Sequence, residues 1–179
     1  MGVAVLAAVL FWVFWPGKGS PNQAGQTAPA SGNAAQSASG TLVHLYFSDS
    51  QGSRLVSDDR MMTSDPDPTR YCRAIMEALL AGPLQQGIRC IPEGTSLLSV
   101  FVGPQKTAYI DLTRQVRDGQ PGGVMAEAQT VYSIVNTITL NVEGVEAVKI
   151  LIEGQESPTL AGHVDLKQPL QADTRIIGP

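Results

Sequence analysis

Few residues in this 179-residue chain could do chemistry: two cysteines, two histidines and a scatter of aspartates. Cys72 and Cys90 stand one loop apart. In an extracytoplasmic domain, two cysteines in a small fold default to a disulfide. A bridge closing a loop of this length is worth roughly 3 kcal/mol in the chain-entropy view. In a reducing compartment the same pair would be buried thiols. As a nucleophile, either would need an adjacent base, and the sequence places none beside them. The expectation is a Cys72–Cys90 disulfide. His44 shares the polar face of a strand pattern with Tyr46, and His163 falls in a terminal loop. A catalytic role for His44 would need a partner such as Asp111 facing it in a pocket. Asp58-Asp59 and the Asp65/Asp67 pair read as turn and cap carboxylates. DPDP lacks the glycine and distal glutamate of a calcium loop. No phosphate-cradling glycine loop and no Gly-x-Ser-x-Gly elbow is present. The sequence therefore predicts no catalytic, cofactor or metal site. A wall hydrolase would require a His–carboxylate cluster that the chain scatters. A receptor for cell-wall glycan or a small ligand would require Tyr46, Tyr71, Tyr109 and Tyr132 to converge.

The elements that would position these residues are legible. Val43, Leu45 and Phe47 alternate against His44 and Tyr46, which predicts a strand over Leu42–Ser48. DSQGS turns the chain, and Arg54–Met62 reads as a second short strand. Asp67 is a fitting N-cap and Pro68 a fitting first residue for a helix. Its stripe is Cys72, Ile75, Met76, Leu79 and Leu80, and Gly82-Pro83 ends it. Thr95–Gly103 and Thr107–Leu112 form a hairpin pattern. Leu98, Val100 and Val102 share a face on its first strand, and Ala108, Ile110 and Leu112 match them on the second. Val124–Val142 predicts a long helix, with Val124, Ala128, Val131, Val135 and Ile138 as its stripe, widened by Ile134. Val145–Gly154 is the last strong strand. The order β-(β)-α-β-β-α-β makes an α+β fold, with two helices packed on one face of a small mixed or antiparallel sheet.

At 43% apolar and 16% charged, the composition supports a packed core. A net charge of -4 argues against a nucleic-acid partner. Residues 1–17 hold an unbroken apolar run from Val3 to Trp15, shorter than the roughly 20 residues of a full span. Trp12, Trp15 and Lys18 look like interfacial anchors, so this segment is expected to be a signal anchor in a membrane. Residues 18–40, rich in Ala, Gly, Ser, Gln and Pro, bury too little surface to order and should act as a flexible tether. Residues 41–166 carry the domain. Residues 167–179 form a tail with little pattern.

With these residues laid out, the central region resembles a GerMN domain, the module of sporulation and germination proteins that also occurs in envelope lipoproteins. The matching pieces are VHLYFSD, LVSDDR, IMEALLAGP, IPEGTSLLSV, TAYIDL, YSIVNTIT and VEAVKILIEG, with the trailing LAGHVDL. Their order holds across nearly all of residues 41–166. The resemblance implies a build similar to ring-building motifs. It also implies an envelope-anchored, extracytoplasmic, non-enzymatic module that partners an envelope protein or itself. It carries over no catalytic residue. The cysteine pair is not part of the family motif.

Overall fold

The computed structural model describes residues 40–178. The expected anchor and nearly all of the tether lie outside the described residues. Gly40 is the exception, and it opens the first strand. Among the described residues no helix is long and apolar enough to cross a membrane.

β1 (Gly40–Ser48) and β2 (Leu55–Thr63) form an antiparallel hairpin, in register from Gly40↔Thr63 to Ser48↔Leu55. The Asp49 carboxylate closes the turn by accepting from the Ser53 backbone N–H and hydroxyl. β2 lies one residue on from the expected Arg54–Met62, and Asp58 and Asp59 stand in mid-strand and not in a turn, with Asp58 at an inward position where an apolar residue would mark the alternation. α1 (Pro68–Ala81) begins as predicted: Asp67 accepts from the Thr69 and Arg70 amides, with Pro68 first in the helix. Cys72, Ile75, Met76 and Leu79 are buried from it. Its last carbonyls, on Leu80 and Ala81, accept from the Arg89 guanidinium. Gly82 ends it at φ 93°, where a Cβ would also collide with Arg89.

The one sheet expected from the sequence is in fact two. Apart from the hairpin, β3 (Leu97–Val102), β4 (Thr107–Leu112), β5 (Ala147–Ile152) and β6 (Gln155–Glu156) form a four-stranded sheet in that order. Its neighbours are antiparallel except β4–β5, which is parallel. The connection between those two strands carries α2 (Gln115–Asp118) and α3 (Val124–Asn141). Leu98 does not share the face of Val100. The register shifts between Leu97 and Ser99, which makes Leu98 the bulged residue and leaves it exposed. α3 packs against β1, β5 and α1, so it is buried on nearly every side from Gln129 to Ile138. Its exposed Val124 lies before that covered stretch. Phe47, Ile75, Met76, Ile110, Ile134 and Ile138 form the centre of the core.

Two further expectations change. Residues 167–178 are anchored to the fold at separated points. Leu170 exchanges backbone hydrogen bonds with Val148, the Asn136 side-chain amide pairs with the Asp173 backbone, and the Gly178 amide donates to the Leu55 carbonyl. The Cys72–Cys90 disulfide is not formed, and both cysteines are free thiols. Cys72 lies in the first half of α1 with its side chain in the core. Cys90 sits in the loop after the helix, where its carbonyl accepts from Thr130 Oγ1 of α3 at 2.6 Å, and its sulfur is not joined to that of Cys72.

Candidate functional site

The two edges of the β1–β2 hairpin are finished differently. In an antiparallel pair, alternate residues direct their N–H and C=O away from the partner strand. On β1 these are Gly40, Leu42, His44, Tyr46 and Ser48, and α3 meets the last three with one polar side chain per turn. The Asn141 side chain accepts from the His44 N–H at 2.9 Å and donates to the His44 carbonyl at 2.8 Å. Thr137 Oγ1 accepts from the Tyr46 N–H at 3.0 Å, and Ser133 Oγ donates to the Tyr46 carbonyl at 2.6 Å. Gln129 Oε1 accepts from Ser48 Oγ at 3.0 Å, while the Ser48 backbone is paired with Ile88. A helix thus takes the place of a third strand and seals this edge from His44 to Ser48.

On β2 the opposing residues are Ser57, Asp59, Met61 and Thr63. Among the described residues their backbone groups gain no partner beyond the hairpin, in contrast with Leu55, whose carbonyl takes the Gly178 amide. The solvent face beside this open edge is partly apolar. Leu42 and Met61 are direct cross-strand partners, 50% and 67% exposed. Next to them His44 Nδ1 lies 2.7 Å from Asp59 Oδ1, with both side chains about half exposed.

The inward face of β2 is tightly committed. Asp58, wholly buried, accepts from the Leu84, Gln85 and Gln86 amides and from the Arg60 guanidinium. Burial alone would raise its pKa, but these donors outweigh it and hold the carboxyl at about 2. Arg60 in turn donates to the carbonyls of Ala78 and Gly82. A second buried carboxylate, Glu127, accepts from the amides of Leu160, Ala161, His163 and Val164, and from His163 Nδ1 at 2.8 Å. Burial pushes its pKa up and these donors pull it further down, leaving it below the ordinary glutamate value. Both carboxylates organise loops rather than line a cleft.

The residues singled out in the sequence do not gather. His44 pairs with Asp59, whereas Asp111 accepts from the Gly154 amide in the other sheet. His163 serves Glu127. Tyr71 lies in the core from α1, Tyr132 is on α3, Tyr46 is on the hairpin, and Tyr109 stacks obliquely with Phe101, ring centroids 6.2 Å apart. Burial pushes the Cys72 thiol up to about 12 and raises that of Cys90, with the Ser133 hydroxyl partly offsetting the latter. Both stay protonated at neutral pH and are poor nucleophiles. Among the described residues no cluster of His, Cys, Asp and Glu could hold a metal. The polar ladder of Gln129, Ser133, Thr137 and Asn141 was missed in the sequence, although its four-residue spacing is plain there.

Comparison with known proteins agrees with the fold. The family of sporulation and spore germination domains termed Germane matches residues 44–158, more than half of the chain, and the protein belongs to it. Solved structures share the fold, three of them as follows. A candidate lipoprotein from Clostridium perfringens is 23% identical, with a TM-score of 0.52, covering 74% of this chain and 87% of that one. The tandem GerMN domains of the sporulation protein GerM from Bacillus subtilis are 18% identical, with a TM-score of 0.56, covering 74% of this chain and 46% of that one. The first GerMN domain of the same protein is 16% identical, with a TM-score of 0.55, covering 73% and 97%. No curated protein matches significantly.

Proposed function

We propose that the chain is a membrane-tethered, extracytoplasmic Germane domain that works without catalysis as a protein-interaction module in envelope assembly. The observation that carries this reading is the unsealed β2 edge with the exposed Leu42–Met61 face beside it, in a molecule whose other hairpin edge is sealed from His44 to Ser48. An exposed strand edge is a ready template for another chain. The apolar run Val3–Trp15 and the Ala/Gly/Ser-rich segment after it support an anchor and tether. The sporulation protein and the candidate lipoprotein among the similar structures support an envelope location and a sporulation or germination role. Fractionation of expressing cells should place the native chain in membranes, with residues 40–178 open to external protease. Recovery from the cytosol would contradict it.

A glycan-binding reading retains one foothold. Phe101 and Tyr109 border an open hollow of about 380 Å³ with Pro104, Gln105 and Thr107. Under that reading Phe101→Ala abolishes retention on purified cell wall. Under the interaction reading it leaves retention unchanged.

A further inference from the structure

The open edge of β2 has a pattern that can be read for its occupant. We infer that a second copy of this chain docks there, β2 against β2 about a two-fold axis, to make a continuous four-stranded sheet. The inference rests on the interaction-module reading and names the partner.

Ser57, Asp59, Met61 and Thr63 direct unpaired backbone groups outward, so an antiparallel self-pairing places one of them on the axis or runs between two, and a register on either side of Met61 sets that apolar side chain opposite the polar Asp59 or Thr63. With Asp59 on the axis, two carboxylates would stand face to face, which is unfavourable in a sheet. With Met61 on the axis, Asp59 of each copy faces Thr63 of the other. The two Met61 side chains then meet at the centre. Because Leu42 is the direct partner of Met61 within each hairpin, an apolar row runs Leu42–Met61–Met61–Leu42 across all four strands. The residues that are most exposed and least polar on this face are thus covered, and no like charges are opposed. Such a contact is isologous and closes at two copies. It also relieves the hairpin of its two-stranded state, which is marginal for a sheet on its own. From His44 to Ser48 the β1 edge cannot compete, since α3 and Ile88 already occupy its outward groups.

Geometry supplies the test. Residues paired across an axis in this hydrogen-bonded fashion have Cα atoms about 5.5 Å apart, within disulfide reach. The full chain carrying Met61→Cys, purified in detergent and oxidised with copper phenanthroline, should run as a covalent dimer on a non-reducing gel. The unsubstituted chain and Leu84→Cys, which alters an exposed residue outside the β2 strand, should remain mostly monomeric. Met61→Lys should weaken association measured by light scattering at least ten-fold while leaving the melting temperature in place. Equal crosslinking of Met61→Cys and Leu84→Cys would overturn the inference. If Met61→Cys in native membranes instead forms an adduct with a different envelope protein, the self-pairing falls and the interaction-module reading stands. If it forms neither adduct, both fall.

Discussion

The β1 and β2 edges of one hairpin pose the same physical problem, a row of N–H and C=O groups with no strand beside them. On β1, α3 answers it at His44 and Tyr46 with Asn141, Thr137 and Ser133, one per helical turn, and the Ile88 backbone answers it at Ser48. On β2 the inward side chains are locked by Asp58 and Arg60, but the outward backbone is left unpaired among the described residues. A fold that commits three side chains of α3 and a loop backbone to sealing most of one edge has the means to seal the other. The difference teaches that polar residues on a buried helix can replace a strand, and that the unsealed edge is the place to look for a partner.

The sharpest way to break the contrast is to unlock β2 from its inner face. Asp58→Ala leaves the Arg60 guanidinium and three loop amides without their acceptor and should cost about 3–5 kcal/mol in urea unfolding. An effect within 1 kcal/mol, on the scale of a surface substitution, would show that the edge lacks the rigid support assigned to it.

Acid titration probes the same group. A carboxyl held at about 2 in the folded chain, against 3.8 as the ordinary value, stabilises the fold at every pH above the ordinary value. That stabilisation is lost as pH falls from about 4 through about 2, a loss of about 2 kcal/mol. The depressed Glu127 acts in the same direction. Asp58→Asn should flatten the slope of stability against pH in this window. An unchanged slope would mean that other groups carry it.

The sealed edge is tested by Thr137→Val, which keeps the shape but removes the acceptor for the Tyr46 amide. The expected loss is about 1.5 kcal/mol in thermal or urea unfolding, because a buried donor is left unpaired. Met61→Lys, on the open edge, should change the stability of the monomer by less than about 0.5 kcal/mol. Reversal of these two magnitudes would invert the comparison.

Much of the architecture was legible in the sequence because local signals agreed with the fold. Asp67-Pro68 and Gly82 bracket α1, and the alternation of Val43, Leu45 and Phe47 sets the buried face of β1. Three things were not legible, each for a physical reason. Asp58 breaks the alternation of β2, since its burial is compensated by loop amides distant in sequence. The split into two sheets depends on α3 entering beside β1, a long-range event without a local mark. Gln129, Ser133, Thr137 and Asn141 have the spacing of a solvent-facing stripe, and only the tertiary fold shows that this stripe meets a strand. The disulfide expectation failed because separation in sequence says nothing about where the loop carries Cys90, whose carbonyl is bound by Thr130 of α3 while Cys72 points into the core from α1.

Amide hydrogen exchange, residue by residue, on dilute monomeric protein tests the asymmetry most directly. The His44 and Tyr46 amides, bonded to Asn141 and Thr137, should exchange as slowly as the core. The amides of Asp59 and Met61 should exchange rapidly, and should gain protection as protein concentration rises and the edges pair. Protection of Asp59 and Met61 equal to that of Tyr46 at every dilution would contradict the account, because β2 would then have no open edge to offer.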